Sequence, residues 1–320
     1  EAPYGIQMTL SLGLEPVKDT ALNVSYLRVK GVDLGSFFNV NQPFPTGQQA
    51  LHDSAGNLGL KDTYFCPASI CGIPDAIPFT IDPGIAVYFE ADSLWESVYD
   101  GLLVDFRKLP TGHVGFGLSY TWSKSIDNGP NPSFVLIPQD SRNFERERTI
   151  SSDHIAHRFV GNATILGPKN INPFVNDFRF GTIVTLQSAR FFTRFAGFDA
   201  NGDIFGNNDR VGIEPRNTFK GDQLYTVDLR VSRTLPLGER ADLEFIAEAF
   251  NIFNTLNVRF FNTAYGAADF CQFNATAAGC LDLGGNPLPL FRDGSPNPGF
   301  GTPRAIFNPR QIQFALRLTF

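Results

Sequence analysis

Val114-Gly-Phe-Gly-Leu-Ser-Tyr-Thr-Trp-Ser123 is the stretch that decides the fold. Every second residue is apolar: Val114, Phe116, Leu118, Tyr120 and Trp122. Between them stand Gly115, Gly117, Ser119, Thr121 and Ser123. A period of two marks a β-strand whose faces meet different surroundings. One face here is apolar, with its aromatics towards one end, and the other is small and polar. The same alternation recurs before it, through Ile6–Leu14, Leu22–Tyr26 and Leu102–Phe106. It recurs after it around Phe159–Ile165, then in Phe178–Leu186, Tyr225–Val231, Leu243–Ala249 and Ile312–Phe320. Nine strands are therefore expected, and helical periodicity is hard to find.

The non-apolar faces carry charge: Asp105, Arg107, Asp228, Arg230, Glu244, Glu248 and Arg317. Charged residues are only 18% of the chain, against roughly a quarter in soluble domains, so part of the surface is expected to avoid water. No stretch approaches the roughly 18 apolar residues of a membrane-crossing helix. A chain that lies in a membrane without such helices must do so as a β-barrel. The connections point the same way. Short turns fall near 15–20, 109–113, 167–176 and 236–240, and long loops near 35–95, 127–154, 191–221 and 254–309. Outer-membrane barrels alternate short periplasmic turns with long extracellular loops. The expectation is a single antiparallel transmembrane portion over residues 1–320. Charged lumen-facing residues would oppose a lipid-facing set of Val114, Phe116, Leu118, Tyr120, Trp122, Phe314, Leu316 and Leu318. Tyr99, Tyr120, Trp122, Phe191 and Phe192 are candidates for aromatic girdles.

An odd number of strands cannot close an antiparallel barrel of the bacterial type. The sequence is thus expected to be the C-terminal part of a larger barrel. No signal peptide opens it. The net charge of −6 and the lack of a basic run argue against nucleic acid as a partner. No nucleophile–base, phosphate-binding or zinc-protease motif is present, so an enzyme is not expected.

Several stretches together resemble the Oar-like TonB-dependent receptors, whose chains carry a carboxypeptidase-regulatory-like domain. They are Tyr120-Thr-Trp-Ser-Lys-Ser-Ile-Asp127, Pro138-Gln-Asp140, Asp153-His-Ile-Ala-His-Arg-Phe159 and Asn217-Thr-Phe-Lys-Gly221. Phe245-Ile-Ala-Glu-Ala-Phe-Asn-Ile-Phe-Asn254 and the closing Pro309–Phe320 complete the set. The resemblance implies a receptor with a plug and a barrel of roughly 22 strands, of which this chain would supply about nine. The plug domain is absent from these residues. The implied partners are outer-membrane lipid, the plug and remaining barrel, TonB acting through that plug, and the barrel assembly machinery. Phe320 ends a strand with apolar residues two, four, six and eight positions before it, which resembles an assembly signal. The implied activity is uptake of an unidentified substrate across the bacterial outer membrane.

Three smaller features bear on sites. The four cysteines fall in two close pairs, Cys66 with Cys71 and Cys271 with Cys280. Neither pair has CxxC spacing. Both are read as local disulfides of an oxidising compartment, with free thiols as the alternative. Asp199, Asn201 and Asp203, followed by Asp209, have the alternate-residue spacing of a calcium loop, and calcium is the one cofactor suggested. Ile204 and Arg210 break the EF-hand pattern, and an Asx-rich turn is the plainer alternative. His154 and His157 read as loop or girdle histidines, and Glu145-Arg-Glu-Arg148 as a solvated charged surface. Two other functions compete with the receptor. One is a cleaved barrel fragment with a structural or assembly role, and the other is a soluble secreted β-sandwich or propeller that binds glycans.

Overall fold

The computed structural model describes residues 2–42, 44–45, 47–64, 82, 88–129, 138–168, 176–197, 201–203, 208–238, 240–266 and 297–320. Nine long strands build one antiparallel wall: β1 (Tyr4–Leu14), β2 (Thr20–Asn39), β3 (Phe89–Lys108), β4 (Val114–Asp127), β5 (His157–Leu166), β6 (Phe178–Gln187), β7 (Leu224–Pro236), β8 (Asp242–Phe250) and β9 (Gln311–Thr319). They neighbour one another in chain order, with β1 and β9 at the two edges, and the two-residue strand Thr149–Ile150 adds to β4. Each expected strand is present. The fold is an all-β, antiparallel wall.

The short connections, 15–19, 109–113, 167–177 and 237–241, all lie at one end of the wall. Their chemistry suits tight reversal. Thr20 Oγ1 donates to the Val17 carbonyl at 2.5 Å and accepts from its amide at 3.2 Å, while Asp19 takes φ 65°. In the β3–β4 and β7–β8 hairpins, Gly112 and Gly238 take φ 77° and 84°, where a side chain would be strained. The described residues of the long connections 40–88, 128–156, 188–223 and 251–310 lie towards the other end.

Two strands run further than the alternation suggests. β2 and β3 are each 20 residues long, and their pairing shifts register between Gly31 and Gly35. Asp33 sits there with φ 55°. A bulge of this kind breaks the period of two, so the outer half of the hairpin reads as loop in sequence.

The buried apolar residues are not beneath the wall. Leu51, Tyr64, Ala189, Ala196, Val211, Phe261 and Tyr265 belong to the long connections, and Val32 and Trp95 to the outer β2–β3 hairpin. Phe144 joins that hairpin, edge-on to Trp95 at 5.3 Å and to Phe38 at 5.5 Å. The wall itself is a single layer. A sandwich would press a second sheet onto the apolar face to make a core about 10 Å thick. Instead, Leu118 is 39% exposed and Phe314 79% exposed. The soluble sandwich is therefore overturned. Among the described residues no helix is long and apolar enough to cross a membrane.

Candidate functional site

The register sorts the wall into two faces. Leu12, Val24, Val104, Tyr120, Phe159, Leu186 and Tyr225 form one continuous cross-strand row over seven strands. Val114, Phe116, Leu118, Trp122, Phe314, Leu316 and Leu318 share that face. Asp105, Arg107, Asp228, Arg230, Glu244, Glu248 and Arg317 all fall on the opposite face. There Arg230 pairs with Glu248 at 3.0 Å, Gln313 donates to the other Glu248 oxygen, and Glu244 stands opposite Arg317.

The apolar face is bounded by charge at both ends. Towards the long loops, Arg28, Asp100 and Lys124 are successive cross-strand neighbours. Arg28 lies 3.6 Å from Asp100, which also accepts the Tyr26 hydroxyl at 2.6 Å. Towards the short turns the limits are Lys108 and Arg233, the latter with its guanidinium 5.1 Å over the Phe178 ring. At about 3.4 Å per residue and a tilt of about 40°, Val114 to Trp122 span about 20 Å, most of the roughly 25 Å apolar band of such barrels. Tyr26 and Trp122 share the last row before the charges, and Tyr120 meets His157 Nδ1 at 2.8 Å one row below. Tyr99 is on the polar face. Phe191 and Phe192 are not in the wall at all. They pair with Phe219 and Lys220 in the loop body, where Phe192, Phe219 and Phe261 pack ring to ring.

The loop body is held by buried ions. Both Glu147 oxygens accept from Arg210 at 2.8 Å, and Arg216 Nε lies 3.1 Å from Glu147 Oε2. Arg216 also reaches Asp127, at the loop end of β4, at 2.6 Å. Glu147 is only 1% exposed, which corrects the solvated reading at that residue, while Glu145, Arg146 and Arg148 are exposed as expected. The two arginines that Glu147 meets are distant in sequence, so composition alone does not reveal the burial.

Asn201, Asp203 and Asp209 are drawn into the same buried region. Asp209 meets the Lys61 ammonium at 2.9 Å and the Gln139 amide at 2.9 Å, and Asp203 accepts from Gln42 at 3.2 Å. Among the described residues no group of carboxylates gathers closely enough to hold a metal ion. Asp199, the first of the expected calcium ligands, lies outside the described residues. So do both expected disulfides: Cys66 and Cys71 of the first pair, and Cys271 and Cys280 of the second, all fall outside the described residues.

A cavity of about 640 Å³ lies in the loop body. Glu147, Arg210 and Arg216 line its buried end, and Phe191, Phe192, Phe260 and Phe261 contribute apolar walls. Arg190 and Arg304 are more exposed; Arg190 is held at 3.0 Å by Asp153.

His154 is buried in the loop body beside Phe191, and its Nδ1 accepts the Ser125 amide at 3.1 Å. Burial lowers its pKa below the ordinary 6.5, helped by Lys124 and His157. A histidine with a depressed folded pKa takes up its proton preferentially when unfolded. Its contribution is therefore complete above pH 6.5 and is lost as the pH falls through the folded value. Protonation also removes the acceptor used by Ser125. The protection factor of the Ser125 amide, its exchange rate relative to the intrinsic rate at each pH, is expected to fall between pH 7.5 and pH 5, and His154→Phe to abolish that dependence. An unchanged protection factor across this range would refute the contact's role. Burial likewise raises the Tyr64 hydroxyl, next to Asp140 and Asp203, so Tyr64 stays neutral at every physiological pH.

The model of the outer membrane beta barrel domain matches residues 1–211 and 200–313. The chain belongs to that family. It is accordingly a component of the outer membrane, in a family of membrane barrels. Three solved proteins are similar to this barrel domain. The transporter YddB from Escherichia coli is 12% identical over 80% of this chain and 29% of its own, with a TM-score of 0.46. FpvA of P. aeruginosa, solved with a heterologous pyoverdine and iron, is 8% identical over 98% and 27%, with a TM-score of 0.48. The FrpB iron transporter from Neisseria meningitidis is 12% identical over 83% and 30%, with a TM-score of 0.43. The chain spans less than a third of the length of each. No curated protein matches it.

The motif stretches of the barrel domain have physical roles at the ends of strands. In Phe245–Asn254, Asn251 and Asn254 take φ 48° and 52°. Asn251 donates its amide to Asp228 and closes a turn with Thr255 through Oδ1 and Nδ2, and Asn254 caps Arg310. Asn217 takes φ 57°, accepts from Thr193 at 3.1 Å and donates to the Ile150 carbonyl at 2.7 Å. Gln139 holds Asp209. Asparagine tolerates the left-handed region and bonds its own backbone, which suits it to these corners.

Proposed function

We propose that this barrel domain is part of a TonB-dependent receptor of the Oar-like type, which takes up an unidentified substrate across the outer membrane. The observation that carries the reading is the two-faced single layer. A band of apolar side chains bounded by charge at both heights faces lipid, and the opposite face, which carries Asp105, Arg107, Asp228, Arg230, Glu244, Glu248 and Arg317 among its charged residues, lines a polar lumen. The loop body then lies outside the cell and offers the substrate its first contacts. The motif stretches quoted above support the finer assignment, and the remaining barrel, a plug and TonB complete the machine. On this reading Cys66 closes with Cys71, and Cys271 with Cys280, as local disulfides on the cell surface; their close spacing in sequence is the support. Phe320, 95% exposed after β9, serves the assembly machinery. Calcium at Asp199–Asp209 is a separate proposal, for which residue spacing is the support.

Two measurements on one preparation test this. The protein should sediment with outer membranes and migrate faster on gels unheated than boiled. Site-specific photocrosslinking in living cells should join the complete receptor, through its plug, to TonB. A protein that is extracted without detergent refutes the barrel, and one that folds in the membrane but never contacts TonB refutes the receptor.

A further inference from the structure

We propose that the 640 Å³ loop cavity binds a small aromatic carboxylate bearing a ring hydroxyl, with its carboxylate on Arg304 and its ring against Phe260. The proposal deepens the receptor reading, on which it rests only for the cavity's outward position.

The charge of the cavity is the first observation. Four arginines line it against two carboxylates, although the whole chain carries a net charge of −6. Arg210 and Arg216 are committed to Glu147. Arg190 is held by Asp153, but that carboxylate is 83% exposed, and ion pairs so placed are weak enough to exchange. Arg304 has no ion pair or hydrogen bond with any described residue. It sits on the short strand Pro303–Ile306, which pairs with Val258–Phe261, and it lines the cavity together with Phe260. A guanidinium is a planar fork of donors that matches a carboxylate with two parallel bonds.

The second observation is the wall. Phe260 is 43% exposed, whereas Phe261 is buried against Phe192 and Phe219. A half-exposed ring, with the Arg259 guanidinium 5.2 Å from its centre, in the same cavity as a guanidinium unpaired among the described residues suits a flat apolar body with an anionic end. The third is Asn208, 4% exposed, whose Nδ2 donates to the Pro138 carbonyl at 3.1 Å while its Oδ1 has no partner. Buried acceptors are nearly always satisfied, and a ligand hydroxyl would supply the missing donor. The volume lies within the range of small-molecule sites.

The test uses the protein in outer-membrane vesicles and three fluorescent probes: 6-hydroxy-2-naphthoate, its neutral carboxamide, and 2-naphthoate. Anisotropy should show saturable binding of the hydroxynaphthoate, with the carboxamide and 2-naphthoate each about tenfold weaker, the loss expected for one strong hydrogen bond. Arg304→Gln should bring the hydroxynaphthoate down to the carboxamide's affinity and leave the carboxamide unchanged. Arg304→Lys should restore part of the difference, and Phe260→Ala should weaken all three probes. Equal binding of acid and amide, or no saturable binding, overturns the proposal, as does discrimination that survives in Arg304→Gln. If a variant does not assemble, the probe comparison on the unsubstituted protein still decides. Binding is measured without TonB, so a protein that binds the probe but never contacts TonB loses the receptor reading and keeps this one.

Discussion

Leu118→Arg should abolish assembly into the outer membrane, while Ser119→Arg, one residue further along β4, should leave it intact. Leu118 is the middle of the apolar run Val114–Trp122 and lies between Phe106 and Gly161 in the cross-strand row. An arginine at mid-depth on a lipid face costs about 2–4 kcal/mol. Ser119 points the other way, with Asp105 directly opposite on β3. A cation there meets water and a carboxylate, and its effect should stay within about 0.5 kcal/mol. Urea unfolding in lipid vesicles, with gel migration of the membrane fraction, measures both. Equal tolerance of the two arginines, or greater damage from Ser119→Arg, would show that the faces have been assigned the wrong way round.

Glu147→Ala should release the loop body without unfolding the wall. It leaves Arg210 and Arg216, each 6% exposed, without their shared carboxylate. Breaking a buried ion pair from one side costs about 3–5 kcal/mol, because the remaining charge stays desolvated. Here one acid serves two cations that tie connection 188–223 to connection 128–156 and, through Asp127, to the end of β4. Hydrogen exchange at residues 138–150 and 208–217 should accelerate by about two to four orders of magnitude, with protection in β4–β8 unchanged. Glu147→Gln keeps the shape and one acceptor and should fall between. Unaltered protection in the alanine variant would mean that the loops are held by their aromatic packing alone.

Legibility in the sequence divides along these two experiments. The wall strands are readable because period-two alternation is a local property, set residue by residue by what each face meets. It fails where backbone geometry departs from the ideal, as at Asp33, beyond which β2 and β3 continue unseen. The loop body is not readable in this way. Glu145-Arg-Glu-Arg148 carries the composition of an exposed segment, and nothing nearby signals that Glu147 is enclosed. Its partners are 63 and 69 residues away. Phe191 and Phe192 mislead for a related reason: aromatics near strand ends fit a membrane girdle, but these two pack with Phe219 and Phe261 above it. The motif Asn251–Asn254 is visible as a pattern, while its use as a left-handed corner depends on Asp228 and Arg310.

The amino-acid sequence by itself determined that this protein is a β-wall with one apolar and one charged face, turning tightly at one end and loosely at the other. Alternation and turn chemistry act over a few residues, so they are written directly into the chain. Only the tertiary structure decided which charges are buried, and that Arg304, Phe260 and Asn208 share a cavity. Those groups come from connections separated by many residues, and no local pattern encodes which loop ion will find which counter-ion once the strands bring the loops together.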